Sequence, residues 1–155
     1  MHPVGSVAGT LLDHVGIAVA DLDAALAVHA GFARHAIAPI RHLPDHGIAV
    51  AFLDVLPIRI ELIAPIGTVS PIRHILGPHT VQDFLARMPA GGLHHICYAV
   101  PDLSAALSAL AREGVRPIGE GRPIIGAAGH PILFLDPATT AGTLIELKGA
   151  IPVGR

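Results

Sequence analysis

The chain has 155 residues, of which 52% are hydrophobic, 14% charged and 3% aromatic. This length and low charge indicate one domain with a sizeable core and exclude a mostly disordered chain. A net charge of −2 and a single cysteine, Cys97, argue against a nucleic-acid binder and exclude an internal disulfide. Because no apolar run is long enough to span a membrane and the N-terminus lacks a signal-peptide pattern, we expect a cytoplasmic protein that binds no membrane.

Many short elements are predicted, because 17 glycines and 14 prolines punctuate the chain without forming low-complexity sequence. In chain order, the pattern predicts a strand at 14–19, an Ala-rich helix at 22–30, strands at 47–53 and 58–63, a helix at 81–88, a strand at 95–100, a helix at 103–113, and strands at 117–118, 132–135 and 143–147. Asp21 and Asp102 precede the two Ala-rich helices and are expected to cap them.

The chain contains an internal repeat. HVGIAVADLDAAL (14–26) and HICYAVPDLSAAL (95–107) are identical at eight of 13 aligned positions, with a constant offset of 81. A second match pairs the IEL of 60–62 with the IEL of 145–147. The sequence therefore predicts two β-α-β-β-β modules within a single domain, 12–65 and 93–149, joined by a connecting segment at 66–92.

Each module carries a His at the start of its first strand and a Glu in its last strand. Glu61 and Glu146 lie among apolar neighbours, and a carboxylate there is costly to bury unless it is paired or bound to metal. Two imidazoles, His14 and His95, and two carboxylates suit a divalent transition metal. The other interpretation is four unrelated residues, since a lone His or Glu on a strand is more often a surface or satisfied core residue.

The repeat and these residues resemble the vicinal oxygen chelate superfamily and, within it, the methylmalonyl-CoA epimerase family. The stretches that carry the resemblance are LDHVGIAVADLDAAL (12–26), PDHGIAVAFL (44–53), IRIELIAPIGTVSPI (58–72), GGLHHICYAVPDL (91–103) and IGAAGHPILFLDPATTAGTLIEL (125–147). The resemblance implies an α+β fold, in which two βαβββ modules form a cupped eight-stranded mixed sheet around a metal site. It also implies a homodimer.

The resemblance implies His14, Glu61, His95 and Glu146 as ligands of one divalent metal ion. Co, Mn, Ni, Zn and Fe all fit these nitrogen and oxygen donors. His95 is preferred to its neighbour His94, for which a rim or packing role is expected. Asp45 of PDHG takes the position of the family's catalytic glutamate. The implied reaction interconverts the 2R and 2S forms of methylmalonyl-CoA, or a related 2-substituted acyl-CoA, through a metal-stabilised enolate. Asp45 and Glu146 would be the catalytic acid–base pair.

Three other functions remain open at this point. A glyoxalase-I-like lyase or isomerase would use the same ligand geometry on a hemithioacetal. An extradiol dioxygenase needs two His and one carboxylate around iron, so the additional ligand Glu61 argues against it. A non-catalytic protein that binds small molecules on this fold would lack the four ligands, and metal analysis of the purified protein separates that class.

Overall fold

A computed structural model describes residues 7–34 and 37–151 of the chain. Within these residues, eight strands form one mixed sheet and four α-helices accompany it, so the α+β fold class is confirmed. The elements are β1 (Leu11–Ala18), α1 (Leu22–His29), β2 (Arg41–Leu43), β3 (Ile48–Val55), β4 (Ile58–Pro65), α2 (Arg73–Leu76), α3 (Val81–Arg87), β5 (Gly92–Ala99), α4 (Leu103–Arg112), β6 (Ile124–Ile125), β7 (Pro131–Leu135) and β8 (Ile145–Lys148).

The chain divides into two compact units. The central unit is His14–His95, and the flanking unit consists of the described residues before and after it. In the central unit, β1 runs parallel to β4, and β3 lies antiparallel to both β4 and β2. In the flanking unit, β5 runs parallel to β8, and β7 lies antiparallel to both β8 and β6. The same order of parallel and antiparallel pairs occurs in both units.

Each Ala-rich helix begins at its predicted cap. The Asp21 carboxylate accepts a hydrogen bond from Ala24 N at 3.0 Å, and the Asp102 carboxylate accepts one from Ala105 N at 2.9 Å. These bonds satisfy backbone donors that a helix leaves open in its first turn. None of the helices within 7–34 and 37–151 has the length and apolar character that a membrane crossing requires.

An aliphatic core lies between helix and strands in each unit. In the central unit, Leu22 of α1 packs with buried residues of β3 and β4, namely Ala49, Ala51, Leu53, Leu62 and Ala64. In the flanking unit, Ala106 of α4 packs with Val100, Leu133, Leu135 and Leu147. Because side chains alternate along a strand, the residues between these core positions point to the other face of the sheet.

The predicted strand at 117–118 is wrong. Pro117 makes an isolated bridge to Leu135, and the strand that pairs with β7 is instead Ile124–Ile125. Proline has no N–H to donate, so it does not continue a ladder in both directions. The structure also contains β2, which the pattern did not predict, and its three residues Arg41–Leu43 are mostly exposed.

The connecting segment holds more structure than the predicted helix at 81–88. That helix is present as α3, Val81–Arg87, and it begins at Thr80, whose hydroxyl accepts a hydrogen bond from Asp83 N at 3.2 Å. Before it lie α2 and a 3-10 turn, Gly77–His79. This turn brings the His79 carbonyl next to β5, where it accepts a hydrogen bond from the side chain of His94.

Candidate metal centre

Three buried polar side chains meet in the central unit. His14 is 3% exposed, Glu61 6% and His95 3%. The Nε2 atom of His14 lies 3.0 Å from Glu61 Oε2 and 3.2 Å from His95 Nε2. Two imidazole nitrogens and one carboxylate oxygen thus converge, and the three residues can supply one ligand atom each to a common metal ion. Such nitrogen and oxygen donors suit divalent transition metals.

Strand register explains why His14 and Glu61 meet. Glu61 on β4 is paired with Gly16 on β1 and with Phe52 on β3, so the side chains at these positions share one face of the sheet. His14 lies two residues before Gly16 and points to that same face. The aliphatic core and α1 occupy the opposite face, because Leu62 follows Glu61 directly. Alternation therefore separates the polar cluster from the core of its own unit.

Phe52 packs against His14, and Arg59 lies over Phe52. The ring of Phe52 meets the His14 imidazole edge-to-face, with centroids 5.8 Å apart, and the Arg59 guanidinium lies 4.8 Å from the centroid of Phe52. Arg59 is the register partner of His14 on β4. A permanent positive charge therefore stands beside the cluster, where it favours the approach of an anionic ligand.

His94 contacts the cluster through His95, and the sequence did not predict this contact. His94 Nδ1 lies 3.0 Å from His95 Nδ1, and His94 Nε2 donates a hydrogen bond to the His79 carbonyl at 2.8 Å. Phe84 of α3 packs edge-to-face on the His94 ring, with centroids 5.6 Å apart. His94 therefore packs in the fold, as expected, and its ring is also within hydrogen-bonding distance of the candidate ligand His95.

Glu146 lies in the flanking unit, in a setting that matches that of Glu61. Its register partners are Cys97 on β5 and Phe134 on β7, at the positions that Gly16 and Phe52 occupy around Glu61. Glu146 is 6% exposed. The Cys97 thiol donates a long hydrogen bond, 3.6 Å, to Glu146 Oε1. Burial, and after it the charges of nearby carboxylates, raises the pKa of that thiol, so it stays protonated.

Asp45 is exposed in the four-residue turn between β2 and β3. Several hydrogen bonds fix the conformation of this turn; among them, Gly47 N donates to Pro44 O at 3.1 Å, and the Gln82 side chain donates to Gly47 O at 2.7 Å. Gly47 has φ +69°, a backbone conformation that favours glycine. The turn thus holds Asp45 at the surface, and its catalytic role stays a prediction.

The only lysine in the sequence, Lys148, is engaged in an ion pair within the flanking unit. Its Nζ lies 2.7 Å from Asp13 Oδ1, and both side chains are largely buried. Because both charges are held away from solvent, Lys148 is a structural residue of β8.

Comparison with known proteins agrees with this geometry. The sequence pattern of the glyoxalase/bleomycin resistance protein/dioxygenase superfamily matches residues 13–134. The ethylmalonyl-CoA/methylmalonyl-CoA epimerase of Cereibacter sphaeroides is 43% identical over 137 residues, which are 88% of this chain and 96% of that protein. The chain therefore belongs to the glyoxalase/bleomycin resistance protein/dioxygenase superfamily and, within it, to the methylmalonyl-CoA epimerase family of isomerases.

Solved structures show the same fold. The methylmalonyl-CoA epimerase of Mycobacterium tuberculosis has a TM-score of 0.76 and 33% sequence identity, covering 91% of this chain and 88% of that chain. A methylmalonyl-CoA epimerase in complex with methylmalonyl-CoA and NH4+ has a TM-score of 0.73 and 26% identity, covering 93% of this chain and 96% of that chain. The predicted family and the predicted class of enzyme, an isomerase, are thus confirmed.

Proposed function

We propose that the protein is a metal-dependent epimerase that interconverts the 2R and 2S forms of methylmalonyl-CoA or a closely related 2-substituted acyl-CoA, such as ethylmalonyl-CoA. The observation that carries the proposal is the buried cluster of His14, Glu61 and His95, in a chain whose relatives are epimerases of these thioesters. Buried polar side chains normally have partners, and a shared cation satisfies all three at once.

The donor set fits a divalent metal. His14 and His95 would each supply Nε2, and Glu61 would supply a carboxylate oxygen. Glu146 is proposed as the fourth ligand, because its register in the second module repeats that of Glu61 in the first. When bound, the ion would supply Lewis-acid stabilisation of the negative charge that develops on a thioester oxygen during proton removal.

Two carboxyl groups would move the proton. Asp45 and Glu146 are proposed to act on opposite faces of the α-carbon, one taking the α-proton as a base and the other returning a proton as an acid. In the reverse direction the two groups exchange roles. Because Asp45 is exposed, a proton that it receives exchanges with solvent. Turnover should therefore introduce solvent hydrogen at the α-carbon.

The position of Arg59 favours the binding of an anionic substrate. It places a positive charge beside His14 and Phe52, on the face of the sheet that carries the cluster. A guanidinium binds carboxylate and phosphate groups through paired hydrogen bonds. The solved epimerase complex with methylmalonyl-CoA, a substrate that carries both groups, has the same fold as this chain.

The test is α-proton exchange in D₂O. The protein is loaded with Co²⁺ or Mn²⁺ and incubated with methylmalonyl-CoA, and mass spectrometry follows deuterium uptake beside a metal-stripped sample. We expect uptake that depends on the metal. His95→Ala should lose both metal and exchange, whereas His42→Ala, which changes an exposed residue of β2, should retain both.

Other outcomes would change the assignment. A metal-loaded protein that exchanges the α-proton of neither methylmalonyl-CoA nor, in the same assay, ethylmalonyl-CoA would contradict the epimerase proposal, and a hemithioacetal would then be the next substrate to test. A protein that binds no divalent metal would contradict the metal site and favour the non-catalytic binding function. The resemblance also predicts a homodimer, which light scattering at several protein concentrations checks.

A further inference from the structure

We propose that His94 is a positioning residue, which holds the His95 imidazole in the tautomer and ring orientation that metal binding requires. The inference rests on the proposed metal site. His94 itself offers no ligand atom to the cluster of His14, Glu61 and His95. It would act through His95 alone, by hydrogen bonding to the nitrogen on the side of the ring away from the cluster.

The direction of each hydrogen bond follows from the carbonyl of His79. A carbonyl only accepts, so His94 Nε2, at 2.8 Å, must carry a proton and donate it. In a neutral imidazole the other nitrogen then holds a lone pair. His94 Nδ1 therefore accepts from His95 Nδ1, which lies 3.0 Å away.

This bond determines which nitrogen of His95 can bind metal. With its proton on Nδ1, the ring has its lone pair on Nε2, the atom that faces His14 Nε2 at 3.2 Å. The opposite tautomer would direct an N–H into the cluster and could not donate an electron pair there. A hydrogen bond on the outer nitrogen of a ligand imidazole also fixes the ring and raises its basicity.

Packing holds the His94 ring in place. The Phe84 ring of α3 meets the His94 ring edge-to-face, with centroids 5.6 Å apart and planes at 82°. The His94 and His95 rings also meet edge-to-face, with centroids 5.2 Å apart and planes at 87°. The carbonyl belongs to the 3-10 turn just before α3. The connecting segment thus contributes to the candidate metal centre without providing a ligand.

Three variants test the proposal through metal affinity. His94→Phe keeps the size of the ring and its packing on Phe84 but removes both nitrogens. His94→Gln keeps a donor and an acceptor. His79→Ala removes the imidazole at position 79 and leaves its backbone carbonyl in place. The affinity of each purified protein for Co²⁺ is measured by competition with a chromophoric chelator, and thermal unfolding verifies that each variant is folded.

We expect His94→Phe to bind Co²⁺ about 10- to 100-fold more weakly than the wild type, the usual effect of losing such a partner. His94→Gln should retain more affinity than the Phe variant, and His79→Ala should match the wild type. Wild-type affinity in the Phe variant, equal loss in the Phe and Gln variants, or equal loss in His79→Ala would each overturn the proposal.

A second readout does not depend on metal. Long-range 1H–15N correlation spectra of the metal-free protein identify the protonated nitrogen of each neutral imidazole, and His95→Ala assigns the His95 signals. We expect a fixed Nδ1–H tautomer at His95 in the wild type and a mixture in His94→Phe. An unchanged spectrum in that variant would overturn the inference. A wild-type protein that takes up no Co²⁺ would overturn the proposed function instead, and these spectra would still decide the role of His94.

Discussion

Gly16 lies so close to His95 that a methyl group at position 16 would overlap the imidazole ring. The glycine stands in β1 opposite Glu61, in the middle of the face that carries the polar cluster. Its backbone is extended, so space rather than conformational freedom requires glycine here. Gly16 is thus part of the candidate metal centre, because its lack of a side chain leaves room for the His95 imidazole.

Gly16→Ala should therefore weaken metal binding without removing any ligand. The new methyl group would displace the His95 ring, and we expect a loss of Co²⁺ affinity of at least about tenfold, as for other changes that disturb a ligand's orientation. Gly31→Ala is the matched control, because a side chain at position 31 would meet no atom within 4 Å. Equal Co²⁺ affinity in both variants, measured by chelator competition, would show that the ring does not need this space.

Asp45→Asn separates the proton-transfer role from metal binding. The variant should bind Co²⁺ as the wild type does and lose α-proton exchange by about 100-fold or more, the usual contribution of a general base. Asp23→Asn, which changes an exposed carboxylate in the first turn of α1, serves as the control and should exchange normally. Wild-type deuterium uptake in Asp45→Asn would remove this residue from the mechanism.

Cys97 should be protected from alkylation in the native protein. The residue is 0% exposed, and it belongs to β5, where its thiol donates a hydrogen bond to Glu146 of β8. We expect iodoacetamide to label the protein only when denaturant unfolds it, so that the labelling rate follows the unfolded fraction. Rapid labelling under native conditions, read by intact mass, would contradict the burial of this thiol.

Asp83 should make the stability of the connecting segment depend on pH. Burial alone would raise the pKa of its carboxyl, but hydrogen bonds from Thr80 and Arg73, together with the charge of Arg73, lower it below the ordinary value. The Thr80 hydroxyl donates at 2.7 Å, and Arg73 Nε lies 3.2 Å from the same carboxylate oxygen. The ionised form is thus favoured by folding.

The sign of the pH effect follows from the lowered pKa. The stabilisation by Asp83 is complete above the ordinary aspartate pKa of about 3.9, and it is lost as the pH falls through the lower value of the folded protein. Asp83→Asn should therefore reduce the free energy of unfolding by about 1 kcal/mol at pH 7, the usual scale for a helix-cap interaction. Urea unfolding at pH 7 and pH 3 checks this, and a difference that does not shrink at pH 3 would contradict it.

Prediction from the sequence succeeded where a local pattern, such as a helix cap, occurred at matching positions of the internal repeat. Asp21 and Asp102 occupy matching positions in the repeat, and both cap the helices that were predicted to follow them. The buried His14 and Glu61 were also predictable, because each is polar and stands at a repeated position among apolar neighbours. Period-two alternation then places such residues on one face without knowledge of the rest of the fold.

Other features depend on tertiary structure. β2 is short and mostly exposed, so its residues carry no apolar alternation, and only pairing with β3 makes them a strand. The prediction of a strand at 117–118 failed because local sequence did not reveal that β7 pairs with Ile124–Ile125. The contact between His94 and His95 depends on the orientation of two rings and on a carbonyl 15 residues earlier in the chain.

The hydrogen bond from His94 to position 79 has a consequence for how the sequence can vary. Its acceptor is a main-chain atom, so almost any amino acid that tolerates the 3-10 turn would provide it equally well. A library of all substitutions at positions 79 and 94 should therefore give two contrasting profiles, permissive at 79 and restrictive at 94. Of these two positions, only 94 would then appear important in a comparison of sequences, although the hydrogen bond needs both.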